Sequence, residues 1–405
     1  MESPQAQTGI ASVASASRVL VITELFLPTK GGTAVWFDEV YRRLGGKDLH
    51  IVTADVPGAA VHDASHPNSV HRVTLRRHWW LRPESLGMYL RLLGRSVFLA
   101  MGRRFDAVHA GRVLPEGLIG WLVAKMIRKP LVVYAHGEEL TTWKQPGKHR
   151  VMTFVFQHAD RVVANSEFTR QELLQVGVQQ ERISLIHPGV DVQRFRPGLP
   201  VSDLTSRLGL NKEQRLILSV GRLSRRKGFD QVIQALPGLV SRGIDAHYAI
   251  VGIGEDKTYL EGLAEQRNVG ARVHLLGHVP MEELPRWYNA ADVFAMPNRE
   301  IDGDTEGFGM VYLEAAACGT PAIAGRAGGT SAAVVDGVTG VLVDGTSTQA
   351  VEAALATMLE DGEFAARIAE QARKRAREEL SWEHTAELTV RLGIELQKRG
   401  GRTAD

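Results

Sequence analysis

Short β-branched runs alternate along the chain with segments of helical period. RVLVITELFL from Arg18, a Gly-Gly turn, VWFDEVYRRL and then LHIVTAD set a βαβ rhythm, the pattern that builds parallel sheets. AVHAG at 107–111, PLVVYAH at 130–136, RVVANS at 161–166 and RISLIHPG at 182–189 continue the series, predicting one doubly wound domain over residues 18–190. Over 191–212 the pattern lapses into a stretch broken by Pro, Gly and Asn, which reads as a linker. RLILSVG, AHYAIVG, RVHLLGH, ADVFAMP, TPAIAG and TGVLVD then predict six strands of a second α/β domain over 213–380. Residues 381–405 read as a closing helix and tail, with Ser381 as its N-cap. Residues 1–17 are small and polar, with neither the basic start nor the apolar run of a signal peptide, and read as a disordered tail.

Length agrees with this division, since 405 residues suit two or three cores at roughly 150 residues each. The chain nowhere offers about 18 consecutive apolar residues, the minimum for a helical membrane span. A single cysteine, Cys318, excludes an intramolecular disulfide and a Cys-clustered zinc site, and points to a reducing, cytoplasmic setting. The formal charge of +2 makes no case for nucleic acid. It conceals a split, however: residues 1–190 carry +7 and the remainder −5. Much of the surplus lies in Arg72, Arg76, Arg77, Arg82, Arg91, Arg95, Arg103 and Arg104, interleaved with Trp79, Trp80 and several leucines. Two readings stay open, a contact with an anionic membrane at its inner face or a core-facing helix with solvated arginines.

The chemistry concentrates in two segments. In EGFGMVYLE, Glu306 and Glu314 flank a Gly307-Phe308-Gly309 turn whose amides, opening onto a helix, suit an anion or a sugar hydroxyl. Glu314 falls inside an Ala-rich apolar helix, where a carboxylate can accept both hydroxyls of a ribose. In SVGRLSRRKGFD a strand ends at Val220, and Gly221 lets Arg222 and Lys227 converge to neutralise a diphosphate, while Arg225 and Arg226 read as solvated.

These segments, together with HPGVDVQRFRP, the early FLPTKGG loop and HGEE after a strand, resemble glycosyltransferase family 4 over nearly the whole chain from Arg18. Within it the chain looks closest to the branch holding phosphatidylinositol mannosyltransferases. The resemblance implies the GT-B fold, two Rossmann-like α/β domains facing a cleft, with the C-terminal helix crossing back to the first. It implies a retaining transfer of a hexosyl group from a nucleotide sugar, GDP-mannose or a UDP-hexose, to an acceptor hydroxyl, lipid-linked in the reading that motivates a membrane contact by Arg76, Arg77, Trp79, Trp80, Arg91 and Arg95. By position Arg222 and Lys227 match the diphosphate clamp, Glu314 the ribose ligand, and Glu306 the glutamate facing the transferred sugar. Gly31 and Gly32 match the glycine loop on the diphosphate, and His136 the histidine beside the donor sugar. No cofactor and no metal are expected.

Three tempting signals are declined. Asp302-Gly303-Asp304 is read as an ordinary turn rather than a metal site, VGIGED at 251–256 lacks the third glycine of a dinucleotide fingerprint, and Cys318 is read as packing. Two other functions stay open: a nucleotide-sugar epimerase or phosphorylase of the same fold, and a catalytically silent partner of a membrane or assembly. The sequence does not specify the oligomeric state.

Overall fold

The computed structural model describes residues 18–75 and 85–401. The proposed tail and Arg76, Arg77, Trp79 and Trp80 lie outside the described residues. The chain divides into two units, Met1–His187 with Trp382–Asp405, and Pro188–Ser381.

In the first unit seven parallel strands run in the order β3-β2-β1-β4-β5-β6-β7: β1 Val19–Ile22, β2 His50–Ala54, β3 Ser69–Val73, β4 Ala107–Ala110, β5 Leu131–Ala135, β6 Arg161–Ala164 and β7 Ile183–Leu185. Numbering the helices of seven or more residues, α1 is Gly32–Leu44, α2 Leu86–Gly102, α3 Leu118–Ile127, α4 Pro146–His158 and α5 Glu167–Gln175. The central strands are covered on both faces, which is why VLVI, AVHA and LVVYA are buried throughout. Strand β3 is the one missed in the sequence. Its SVHRV lies at the sheet edge, half-buried at every position, so it carries no continuous apolar run.

The second unit repeats the plan with six strands, β10-β9-β8-β11-β12-β13: β8 Arg215–Val220, β9 Ala246–Val251, β10 Val273–Gly277, β11 Val293–Met296, β12 Ala322–Gly325 and β13 Val341–Val343. Its helices are α6 Phe229–Ser241, α7 Lys257–Gln266, α8 Leu284–Ala290, α9 Met310–Cys318, α10 Thr348–Glu360 and α11 Gly362–Glu378. The stretch expected as a linker is built into this unit. Phe195 and Leu204 are buried in its core, Ser202–Arg207 forms a short helix, and Arg286 of α8 donates to the Pro200 carbonyl at 2.8 Å. Its prolines and glycines mark anchored turns, not a free connection.

The closing helix α12, Trp382–Gly401, counts with the first unit. Arg43 of α1 donates to Glu383 at 2.9 Å, and the Thr385 hydroxyl to the His187 carbonyl at 3.0 Å. Among the described residues no helix is long and apolar enough to cross a membrane.

Candidate active site

In an open parallel sheet, ligands bind beyond the carboxyl ends of the strands where the strand order reverses. In the second unit that point lies between β8 and β11. The loop after β8 carries Gly221 to Lys227, and the loop after β11 carries Pro297 to Gly309. The two loops are held together by backbone. Gly228, at φ 76°, lies so close to the Pro297 carbonyl that a Cβ there would meet its oxygen at 2.0 Å. The Arg299 amide donates to the Arg226 carbonyl at 2.8 Å, and the Arg299 guanidinium grips Asp230 at 2.9 and 2.8 Å.

Arg225–Lys227 form a single 3₁₀ turn, so successive side chains diverge by about 120°. Arg225 leaves toward Asp256, 3.3 Å away, and lies over the Tyr259 ring. Lys227 and Arg226 both reach Glu306; Lys227 pairs closely with Oε2, and Arg226 Nη1 lies 3.2 Å from the same oxygen. Arg222 is not with them. Its side chain is 73% exposed and pairs with Glu255 at 3.1 Å, so it is Arg226 that the fold brings to Lys227.

Glu306 is itself tightly placed. The Gly329 amide donates to its carbonyl at 2.7 Å, and a Cβ on Gly328 would meet that carbonyl oxygen at 2.3 Å. Burial pushes its carboxyl up, but Lys227 and Arg226 outweigh burial and hold it below its usual range. It is an anion between two cations. Gly309, at φ 93°, then starts α9, a conformation glycine adopts without penalty. The Tyr312 ring fills the space a Cβ would take, and its hydroxyl donates to the Met296 carbonyl at 2.6 Å and Asn298 Oδ1 at 2.8 Å. Glu314, the fifth residue of α9, accepts a bond from the Tyr288 hydroxyl at 2.7 Å. Burial pushes its carboxyl up to about 7, against the opposing influence of Tyr288 and Arg194.

In the first unit the order reverses between β1 and β4. Gly31, at φ 129° and ψ 156°, is the N-cap of α1, and Gly32 opens the helix after the loop that follows β1. His136 follows β5 directly. Its Nε2 lies 2.8 Å from the Gly111 carbonyl, which can only accept, so Nε2 carries the proton and Nδ1 the lone pair. Burial lowers its pKa, and the ring stands edge-on to Trp36 at 5.6 Å. The next turn explains HGEE: Gly137 has φ 96°, and Glu139 accepts the His136 amide at 2.9 Å. Beside it Arg112 joins Glu24 at 2.9 Å and buried Glu116 at 3.3 Å.

Residues 202–375 match the family model of the glycosyl transferases group 1, and residues 30–194 that of glycosyltransferase family 4. A GDP-mannose-dependent alpha-(1-6)-phosphatidylinositol monomannoside mannosyltransferase of Mycolicibacterium smegmatis is 32% identical over 370 residues, 90% of this chain and 95% of its own. The chain belongs to glycosyltransferase family 4. A D-inositol 3-phosphate glycosyltransferase of Thermobispora bispora is 30% identical over 407 residues, covering 92% of each chain. Among solved structures, this glycosyltransferase is similar to Anabaena Alr3699/HepE in complex with UDP and glucose, with TM-score 0.78 and 22% identity over 93% of this chain and 99% of that one. A glycosyltransferase from Rickettsia africae gives 0.79 at 17% identity, over 95% and 99%. Both likenesses establish the GT-B fold.

Away from the strand ends, the glycosyltransferase treats its basic stretch unevenly. Arg72 is consumed internally, bonded to Asp63 and to the Leu27 and Ala54 carbonyls. Arg95 donates to His71 at 2.9 Å and Arg91 to the Thr74 carbonyl at 3.0 Å. Met88, Leu92 and Leu99 enter the core, while Leu90, Phe98 and Met101 are left on the outer face of α2, the last two 68% and 77% exposed.

The declined signals have local explanations. Ile301 and Asp304 exchange backbone bonds across Asp302 and Gly303, both at positive φ, a type I′ turn, and Asp304 pairs with Arg226 at 3.1 Å. In VGIGED, Gly252 and Gly254 admit the Gly221–Leu223 backbone: Cβ atoms there would meet the Gly221 and Leu223 carbonyl oxygens at 1.8 and 2.3 Å. Cys318 is buried and its thiol pKa is pushed up by burial. Sequence reasoning missed Arg226, Asn298 and the Asp230–Arg299 pair. A run of neighbouring cations carries no direction until its turn type is known.

Proposed function

We propose that this glycosyltransferase moves a mannosyl group from GDP-mannose, with retention of configuration and without a metal, to a hydroxyl of an inositol-containing glycolipid. The observation that carries the reading is the Glu306 carboxylate, half-buried and anionic between Lys227 and Arg226 at the strand-order reversal of the second unit. The donor assignment rests on the relative named for GDP-mannose, which spans nearly the whole chain.

The charges suit the bond to be broken. As the glycosidic bond lengthens, positive charge grows on the sugar and negative charge on the leaving diphosphate. Glu306 is placed to stabilise the first, Lys227 and Arg226 the second. Arg222 joins them in this reading, since its exposed pair with Glu255 is worth little and yields readily to a diphosphate. Glu314, once deprotonated, accepts the ribose hydroxyls. The departing phosphate takes the acceptor proton on the same face, so no side-chain base is required. Gly31, Gly32 and His136 carry their roles by resemblance, supported by their position at the carboxyl-end loops of the first sheet; His136 offers Nδ1 as an acceptor for a sugar hydroxyl.

Peripheral attachment to an anionic membrane belongs to the same proposal, now through the exposed face of α2. Replacing Phe98 and Met101 by Ser is expected to weaken sedimentation with anionic vesicles and leave the melting midpoint in place; unchanged sedimentation would remove α2 from the contact. The donor is tested by incubating the protein with GDP-mannose or UDP-glucose and mycobacterial-type phosphatidylinositol mannosides. Mannosylated lipid and free GDP are expected. Epimerised donor without transfer, or glucosyl transfer alone, would overturn the assignment.

A further inference from the structure

The basic surplus of the first unit has a second centre, away from the strand ends just described. Where β5 and β6 begin, a cavity of about 640 Å³ is lined by Lys125, Arg128, Lys129, Arg161 and Arg182, with Asp160 the one acidic residue in its wall. Strand β5 runs from this cavity to His136, so its five residues separate the two by about 16 Å. Two aromatic rings, Trp121 and His158, are in its wall, backed by Phe154, which stands edge-on to Trp121 at 5.1 Å and stacks on His158 at 4.1 Å.

The ordinary reason for cations here is the negative end of a helix, and α3 and α4 both finish at this edge. Arg182 does serve in that way, donating to the Gln157 carbonyl at 2.9 Å. The α3 end is different. Its last carbonyls are capped by the backbone amides of Arg128 and Lys129, at 3.3 Å to Lys125 and 3.0 Å to Ala124. Among the described residues, Lys125, Arg128 and Lys129 have no salt bridge, and all three side chains are exposed. Asp160 spends one carboxylate oxygen on the Leu131 amide at 2.8 Å. Arg128 also occupies the left-handed position of the cap, φ 55°, which normally takes glycine. An arginine stands where the backbone favours glycine, and it lines a cavity already rich in cations.

We propose that this cavity is a binding site for a phosphate group, carried either by a lipid headgroup or by a soluble phosphorylated polyol. Cations from the end of α3 and the turn after it, from the start of β6, where Arg161 also donates to the Asp160 carbonyl at 3.1 Å, and from the turn before β7 line one cavity and suit a dianionic phosphate, and the aromatic rings in its wall suit the carbon skeleton beside it. The site is separate from donor chemistry and does not rest on the donor assignment.

The test uses the full chain and the double variant Arg128→Gly, Lys129→Gln. Glycine relieves the left-handed strain, so the variant is expected to melt at or above the parent; the pair Lys125→Gln, Lys129→Gln, which leaves the backbone alone, provides a second variant. Two probes separate the sources: phosphatidylcholine vesicles with and without phosphatidylglycerol, and soluble glycerol 3-phosphate measured by calorimetry. At about fivefold for each cation removed, either double variant is expected to bind on the order of twentyfold more weakly than the parent. Vesicle binding lost in this way identifies a lipid headgroup, and loss of glycerol 3-phosphate binding identifies a soluble ligand. A parent that binds neither probe, or folded variants that bind as the parent does, would overturn the proposal.

Discussion

Glu314 shows how a single half-buried side chain can be set against the stability of its own domain. Its carboxyl is pushed up to about 7 by burial, so the folded state binds a proton more tightly than the unfolded chain. The sign follows: Glu314 is neutral in both states well below pH 4.5, destabilises the fold increasingly as pH rises from there to about 7, and adds no further cost once both states are ionised. Glu314→Gln is therefore expected to raise the melting free energy by about 1–2 kcal/mol at pH 8, with the gain vanishing near pH 4, while weakening GDP-mannose binding. A variant that binds donor as well as the parent would remove Glu314 from the ribose. Glu306 behaves oppositely. Lys227 and Arg226 hold it anionic, so its contribution is present at neutral pH and fades as pH falls below the usual carboxylate range. Lys227→Ala is expected to lower turnover about 10²-fold and to move the acid limb of the rate profile to higher pH, because Glu306 then loses its closest cation; an unmoved limb would show that Glu306 does not titrate in the reaction. Glu306, Glu314 and Lys227 were legible in the sequence as residue types at informative spacing. Arg226 was not, because a 3₁₀ turn redirects each neighbour by a third of a circle.

Elements were most legible where burial was most complete. Strands covered on both faces, such as β5 and β9, stand out as apolar runs, whereas edge strand β3 is half-buried and merges with the loops around it. Helix α9 was legible through its glycines, yet their reasons are tertiary: Gly309 needs both positive φ and room for the Tyr312 ring. Gly309→Ala is expected to lower stability by about 2 kcal/mol, from left-handed strain and displacement of that ring. Its reading in denaturant melts should come with loss of donor binding, since α9 carries Glu314 and its first turn follows Glu306. A melt equal to the parent's would mean that Tyr312 has another place to go. The stretch 191–212 misled for a related reason, because prolines and glycines punctuate an anchored segment in the same way as a free one.

Across the whole molecule the near-zero net charge is a sum of opposites, and the fold assigns them different work. The acidic second unit sets Lys227 and Arg226 against Glu306 at the reversal of its sheet. The basic first unit gathers several at the start of its strands, far from His136, and others along α2. Both sheets present their chemistry at the carboxyl ends, as parallel topology requires. The central claim, a retaining hexosyl transfer from a nucleotide sugar, is tested most directly by proton NMR of the anomeric centre in the lipid product formed from GDP-α-mannose. An α-mannoside is the predicted product. A β-mannoside, or GDP release with mannose appearing only in water, would contradict the account.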